Sequence, residues 1–255
     1  MSLTLPGGPL ALERPHDVNY HTDGPERLLF FGDFPRRVRA VIAGQTVVDT
    51  RGGRLLHESE LLPVLYVPDA DISSDLLSGT DLTTRCPFKG EASYWDVRAD
   101  GRTAENAVWA YPDPLTPASW LRGYKAVSWD AMEAWYDEDE QVFGHLRDPF
   151  HRVDVRAASG RVRVLLDGHV LADSTRAKVL SETGLPNRYY LPREDVQAGL
   201  LRSETSQVCP YKGTSSYWST GTQTNIAWSY EEPLDDAASV AGHVSFADSA
   251  SVEVS

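Results

Sequence analysis

The strongest constraint on what this chain can fold into is that it is written twice. Residues 38–50, VRAVIAGQTVVDT, lie over residues 162–174, VRVLLDGHVLADS, at an offset of 124. The same offset aligns His57-Glu58 with Ser181-Glu182 and YVP at 66–68 with YLP at 190–192. It becomes 123 at CPFKG (86–90) against CPYKG (209–213), the pentapeptides that hold both cysteines of the 255-residue chain. It becomes 119 at NAVWAYPDP (106–114) against NIAWSYEEP (225–233). That last slip falls between the Tyr-Trp pair and the Asn, where an exposed hairpin loop would tolerate a change of length. A duplicated domain requires each half to bury its own core, and a half of roughly 100 residues is large enough to do so.

The repeated segments read as strands. Asp167-Gly168 joins two β-rich runs as a hairpin turn, and Ala43-Gly44 holds the same place in the first copy. SSYWST and NIAWSY are aromatic-rich strands, and PREDVQAGL (192–200) is the best short-helix candidate, with Pro and acids in its first turn. No long stretch sustains a 3.6-residue period. We therefore expect a mainly β protein with short helical segments: an arm over 1–26, a first domain over 27–135, an acidic connector over 136–150 and a second domain over 151–255.

Acids outnumber bases 37 to 24, for a net charge of -13, the wrong sign for phosphate backbones or anionic membrane. The N-terminal stretch lacks a basic region followed by a continuous apolar run, and no apolar run approaches the ~20 residues of a membrane helix. Two cysteines without disulfide-type spacing suit a reducing compartment. The expectation is a cytoplasmic protein with no nucleic-acid or membrane partner.

Chemistry could reside in the repeated pentapeptide. Pro at the second position and Gly at the fifth favour a β-turn, which would bring Cys209 near Lys212 and Cys86 near Lys89. A cation beside a thiol favours the thiolate. Glu58 and Glu182 could act as bases or hold an amine, or could pair with the repeated Lys. Tyr66 and Tyr190 could line the same cavity. Trp109 with Tyr111, and Trp228 with Tyr230, share a strand face that is either core or a pocket wall, with Asn106 and Asn225 as polar partners. No Cys-x-x-Cys or His-x-x-x-His spacing is present, so no metal and no other cofactor is expected. Walker, dinucleotide and nucleophile-elbow motifs are missing as well.

DPFHRVDVR, VLADSTRAKVLSETGLPNRYYLPREDV, CPYKGTSSYW and NIAWSYEEP resemble the bacterial domain of unknown function 427 family over nearly all of 150–255, with a more divergent match over roughly 27–135. The resemblance implies two tandem small β-tent-like domains, similar in fold to methionine-R-sulfoxide reductases. The family also carries a nucleotidyltransferase-like label, for which no acidic metal-binding motif is found. In the first copy Asp69 replaces Arg193, and the counterparts of Gly184, Asn187 and Arg188 are lost, so an anionic ligand would be held by the second domain. The expected arrangement is a small-molecule pocket per domain. In the second, Cys209 would be nucleophile, Lys212 its activator and Glu182 a further catalytic group, with Tyr190, Arg193, Tyr217, Asn225, Trp228 and Tyr230 binding the ligand. Glu58, Tyr66, Cys86, Lys89, Asn106 and Trp109 are the first-domain counterparts. The alternatives are a non-catalytic binding module, a nucleotidyltransferase-like enzyme and a structural or interaction protein.

Overall fold

A computed structural model describes Asn19 and residues 27–255, so the arm expected over 1–26 lies, Asn19 aside, outside the described residues. The described residues fall into two compact units, divided between Phe150 and His151. The first holds β1 (Leu29–Asp33), β2 (Val38–Ile42), β3 (Gln45–Thr50), β4 (Arg54–Glu58), β5 (Val64–Pro68), β6 (Leu77–Cys86), β7 (Gly90–Ala99), β8 (Arg102–Ala110), β9 (Tyr124–Val127), β10 (Ala134–Asp137) and β11 (Glu140–Val142). The second holds β12 (Val153–Ala157), β13 (Val162–Leu166), β14 (His169–Ser174), β15 (Lys178–Glu182), β16 (Arg188–Pro192), β17 (Leu201–Cys209), β18 (Gly213–Ser219), β19 (Ala227–Tyr230), β20 (His243–Phe246) and β21 (Ser251–Val254).

Each unit has a seven-stranded sheet, ordered β1-β4-β5-β9-β8-β7-β6 in the first and β12-β15-β16-β20-β19-β18-β17 in the second. The orders are the same once each strand is replaced by its repeat. A small sheet accompanies each: β11-β10-β2-β3 in the first unit and β14-β13-β21 in the second. The fold is thus mainly β and built as two similar halves, with short 3-10 segments as its helical parts.

Strand parity divides each core in two. Val67 packs with Val38, Ala40, Val108 and Trp135, whereas its neighbour Tyr66 points the other way, among Leu56, Leu121 and Ala126. Leu191 and Tyr190 part in the same manner in the second unit. The large sheet is therefore apolar on both faces. A 3-10 segment, Thr116–Leu121 or Asp235–Val240, supplies Leu121 or Val240 to the Tyr face.

The expected hairpin turns are present: Ala43-Gly44 and Asp167-Gly168 all have positive φ, as a tight two-residue hairpin turn requires. PREDVQAGL differs from expectation. Only Arg193–Asp195 is helical, a single 3-10 turn, because Val196 already bridges to Ala172 as extended chain. The stretch 136–150, read from its acid run as a connector, gives Tyr136 and Asp137 to β10 and Glu140–Val142 to β11, which pairs with β10. Asp139 and Glu140 are exposed, whereas Asp137 pairs with Arg36 and Asp148 and Leu146 are buried.

Asn106 and Asn225 recur for a backbone reason. Both sit in the left-handed region, at φ 50° and 54°, Asn106 within β8 where its register against β7 shifts and Asn225 just before β19. The Asn106 N–H donates to Asp96 Oδ1 at 2.9 Å, and the Asn225 N–H to Ser219 Oγ at 2.9 Å. Their side chains meet Thr80 and Thr205. Replacing either Asn by Ala should lower stability by about 1–2 kcal/mol, the usual strain of a Cβ in that conformation. Gly, which is free of that strain, should lose less. Urea unfolding of the four variants checks this; Ala and Gly losing equally would assign the role to the side chain.

Candidate functional site

The site grows from the repeated turn. In the second unit the Lys212 N–H donates to the Cys209 carbonyl at 3.3 Å, closing a β-turn between β17 and β18. The Lys212 carbonyl then accepts from the Leu234 N–H at 3.1 Å, as the Lys89 carbonyl does from Leu115 at 3.0 Å. Gly213 and Gly90 have φ of 99° and 110°, and a Cβ on either would stand 3.1 Å or 3.3 Å from a backbone oxygen of the neighbouring loop. The Gly is needed both for its conformation and for that close approach.

The lysine of each turn is engaged by a carboxylate. Lys212 Nζ bonds Glu182 Oε2 at the end of β15, and Lys89 Nζ bonds Glu58 Oε2 at the end of β4. A second donor holds the other oxygen. In the second unit it is His151, whose Nε2 lies 3.0 Å from Glu182 Oε1; in the first it is Arg27, 3.2 Å from Glu58 Oε1. Arg27 and His151 stand at the repeat offset of 124. Each also rests on the aromatic residue of its turn: the His151 ring lies 4.1 Å from Tyr211 and the Arg27 guanidinium 5.5 Å from Phe88. Burial pushes the Glu182 carboxyl up, but the His151 hydrogen bond and the Lys212 ammonium together hold it at about 2.

The aromatic residues adjoin this clamp. Trp228 donates its indole N–H to the Tyr190 hydroxyl at 3.0 Å, and Trp109 lies edge-on to Tyr66 with ring centroids 6.5 Å apart. Burial keeps all four tyrosines, Tyr66, Tyr111, Tyr190 and Tyr230, protonated far above neutral pH. Cys86 and Cys209 are free and half-buried, packed against the Tyr66 and Tyr190 clusters respectively. Tyr217 faces Trp228, ring centroids 6.4 Å apart, and donates its hydroxyl to Gln207.

Two expected ligand residues stand elsewhere. Arg193 follows Pro192 into the 3-10 turn and lies over the Trp218 ring at 3.6 Å, with the other core cluster of the unit. Asn225 stands just before β19. Arg27 and His151 take their place beside the carboxylates, together with Arg188, which the comparison of the two copies marks as lost from the first. Arg27 and His151 were missed because the repeat preserves a nitrogen donor on an aromatic ring rather than a residue type. Arg188 shares a strand face with Tyr190; its guanidinium sits 5.7 Å from the Trp228 ring and forks onto Asp248. It also borders a cleft of about 230 Å3 at the ends of β16 and β20, lined further by Asn187, Tyr189, Ser245, Phe246 and Asp248.

The first unit also differs at the buried His57. His57, where the second copy has Ser181, lies between the Phe30 and Phe150 rings with Nδ1 3.7 Å from Asp148. Burial lowers its pKa, against the opposing pull of Asp148. Among the described residues no group of three or more His, Cys, Asp or Glu is placed to hold a metal ion, and no helix is long and apolar enough to cross a membrane.

The family described as domain of unknown function (DUF427) matches residues 31–138 and again 154–255. With most of its length covered by the two matches, the chain belongs to that family as a tandem copy. A comparison with curated proteins found no match.

The clamp makes a pH-dependent contribution to folding. Glu182 titrates near 2 when folded and at ~4.3 when unfolded. Its contribution is therefore complete above pH ~5 and is lost as pH falls toward 2. In Glu182→Gln the decline in urea-unfolding stability across that window should be shallower than in the parent. Lys212→Met, which strands a buried carboxylate, should cost about 3–5 kcal/mol at neutral pH. The double variant should cost less than Lys212→Met alone; an equal or greater loss would mean that Lys212 acts through something other than Glu182.

Proposed function

We propose that the second unit is a non-catalytic binding module for a small molecule carrying a carboxylate or an equivalent planar anion. Arg188 is its charged anchor, and Tyr189 and Phe246 are its aromatic wall. The observation that carries this reading is the position of Arg188: at the edge of the cleft, over the Trp228 ring, and facing Asp248, whose side chain is 82% exposed. An exposed ion pair contributes ~0–1 kcal/mol, so an incoming carboxylate can replace Asp248 at little cost. The guanidinium fork matches a carboxylate in two parallel hydrogen bonds. The first copy has Val64 at this position, which agrees with a ligand held by the second unit.

Binding is favoured over thiol chemistry because Lys212 is engaged by Glu182. A thiolate at Cys209 would need that cation for itself. The nucleotidyltransferase-like reading finds no supporting cluster among the described residues. Two free cysteines suit a reducing compartment, which supports placing the protein in the cytoplasm.

Calorimetry and thermal shift with a series of small mono- and dicarboxylates test the proposal. At least one member should bind saturably to the parent. Arg188→Met should abolish that binding, Asp248→Asn should tighten it several-fold and Cys209→Ser should leave it unchanged. Binding that survives Arg188→Met, or that disappears with Cys209→Ser while the fold is intact, would overturn it.

A further inference from the structure

The first unit has a cleft of its own, about 220 Å3, whose chemistry is different. It lies where β10 and β11 meet the 3-10 segment Trp129–Ala131, and Trp129, Trp135, Met132 and Phe143 supply its apolar walls. Trp129 and Trp135 stack with centroids 4.7 Å apart and planes 5° from parallel. The Trp135 indole N–H donates to the Trp129 carbonyl at 3.0 Å, which fixes the pair. Asp130 and Glu133 are the charged residues of the lining, and no Lys or Arg lines it. Glu133 is engaged, accepting from the Ala43 N–H at 2.7 Å and pairing with Arg102. Asp130 is exposed on the rim.

The duplicate shows that this aromatic wall is not demanded by the fold. Trp135 lies opposite Ala40 on β2, and the residue opposite the matching Val164 on β13 is Val252. Ser128 and Ala247 make matching backbone bonds, to Ala107 and Ile226, so the residue after each is equivalent as well: Trp129 corresponds to Asp248. The second unit keeps its sheet with neither tryptophan and without a strand like β11. Phe143 is 57% exposed, so core packing does not account for it, whereas Trp135 is buried in the core and Trp129 packs against it.

We infer that the first-unit cleft binds a small alkylammonium cation, held by the electron-rich faces of Trp129, which Trp135 fixes from behind, and of Phe143, and by the Asp130 carboxylate. Aromatic walls attract such cations through the ring quadrupole, and a nearby acid adds charge complementarity. The volume is below the ~300–1,000 Å3 of drug-sized pockets, which restricts the ligand to a compact head group.

Choline is a suitable probe, with 3,3-dimethylbutanol as its neutral isostere, in calorimetric titrations of the full chain. Choline should bind saturably and the neutral alcohol should bind at least several-fold more weakly. Asp130→Asn and Phe143→Ala, both at exposed positions, should each weaken choline several-fold without changing the thermal midpoint, whereas Arg188→Met should leave it unaffected. Equal binding of the two probes would show an apolar cleft without cation recognition and overturn the inference. The absence of saturable choline binding, or binding indifferent to both variants, would overturn it too.

Discussion

Each unit depends on one buried carboxylate held from two sides. Glu182 sits at the end of β15, second in the order of its large sheet, and Lys212 sits in the turn joining β18 and β17, the last two. In a flat sheet, strands four places apart are separated by roughly 19 Å, at ~4.8 Å per strand. A Lys–Glu contact cannot span that distance. The sheet must curl until its two ends approach, and the ion pair marks where they meet. Glu58 and Lys89 make the same closure in the first unit. A buried carboxylate tolerates this position because both oxygens are bonded and both partners are rigidly placed; losing one would leave a charge that the surroundings cannot solvate.

The constancy of the closure explains the motif C-P-x-K-G position by position. Pro and Gly shape the turn, and Gly permits the close approach of the following loop. Lys reaches the carboxylate, and the aromatic third residue carries the Arg27 or His151 that binds its other oxygen. Cys packs, half-buried, beside Tyr66 or Tyr190. Recurrence of a reactive residue type inside a duplication is thus weak support for chemistry when the same recurrence closes the fold.

Much of this was legible in the sequence, and the failures share a cause. The repeat, the hairpin turns, the pentapeptide turn and the Glu–Lys alternative all rest on local geometry or on identical residues at matched positions. Lys212 was expected beside the thiol because a β-turn brings its ends together. An ionised carboxylate across the sheet wins because its attraction for an ammonium far exceeds that of a neutral thiol. Arg188 and Arg193 lie in one short segment, yet strand parity and the turn after Pro192 send them to opposite faces, a distinction composition does not contain. The acid run at 137–140 was read as a solvated connector because charge resembles a linker. In the structure it forms the exposed tip of a hairpin whose inward residues, Trp135 and Val142, face the core.

Where the copies agree, then, the residues close the sheet, and where they disagree the same place in the fold has been redecorated. The loop after β9 and its counterpart after β20 border the two clefts, with Trp129 in one and Asp248 in the other. One mouth has acquired stacked indoles and an acid, the other a guanidinium and its counter-ion. A scaffold held by a distant ion pair leaves this rim free to vary, because none of its residues takes part in closing the sheet. Divergence at such a rim gives one chain two clefts with different charged linings without altering what holds either unit together.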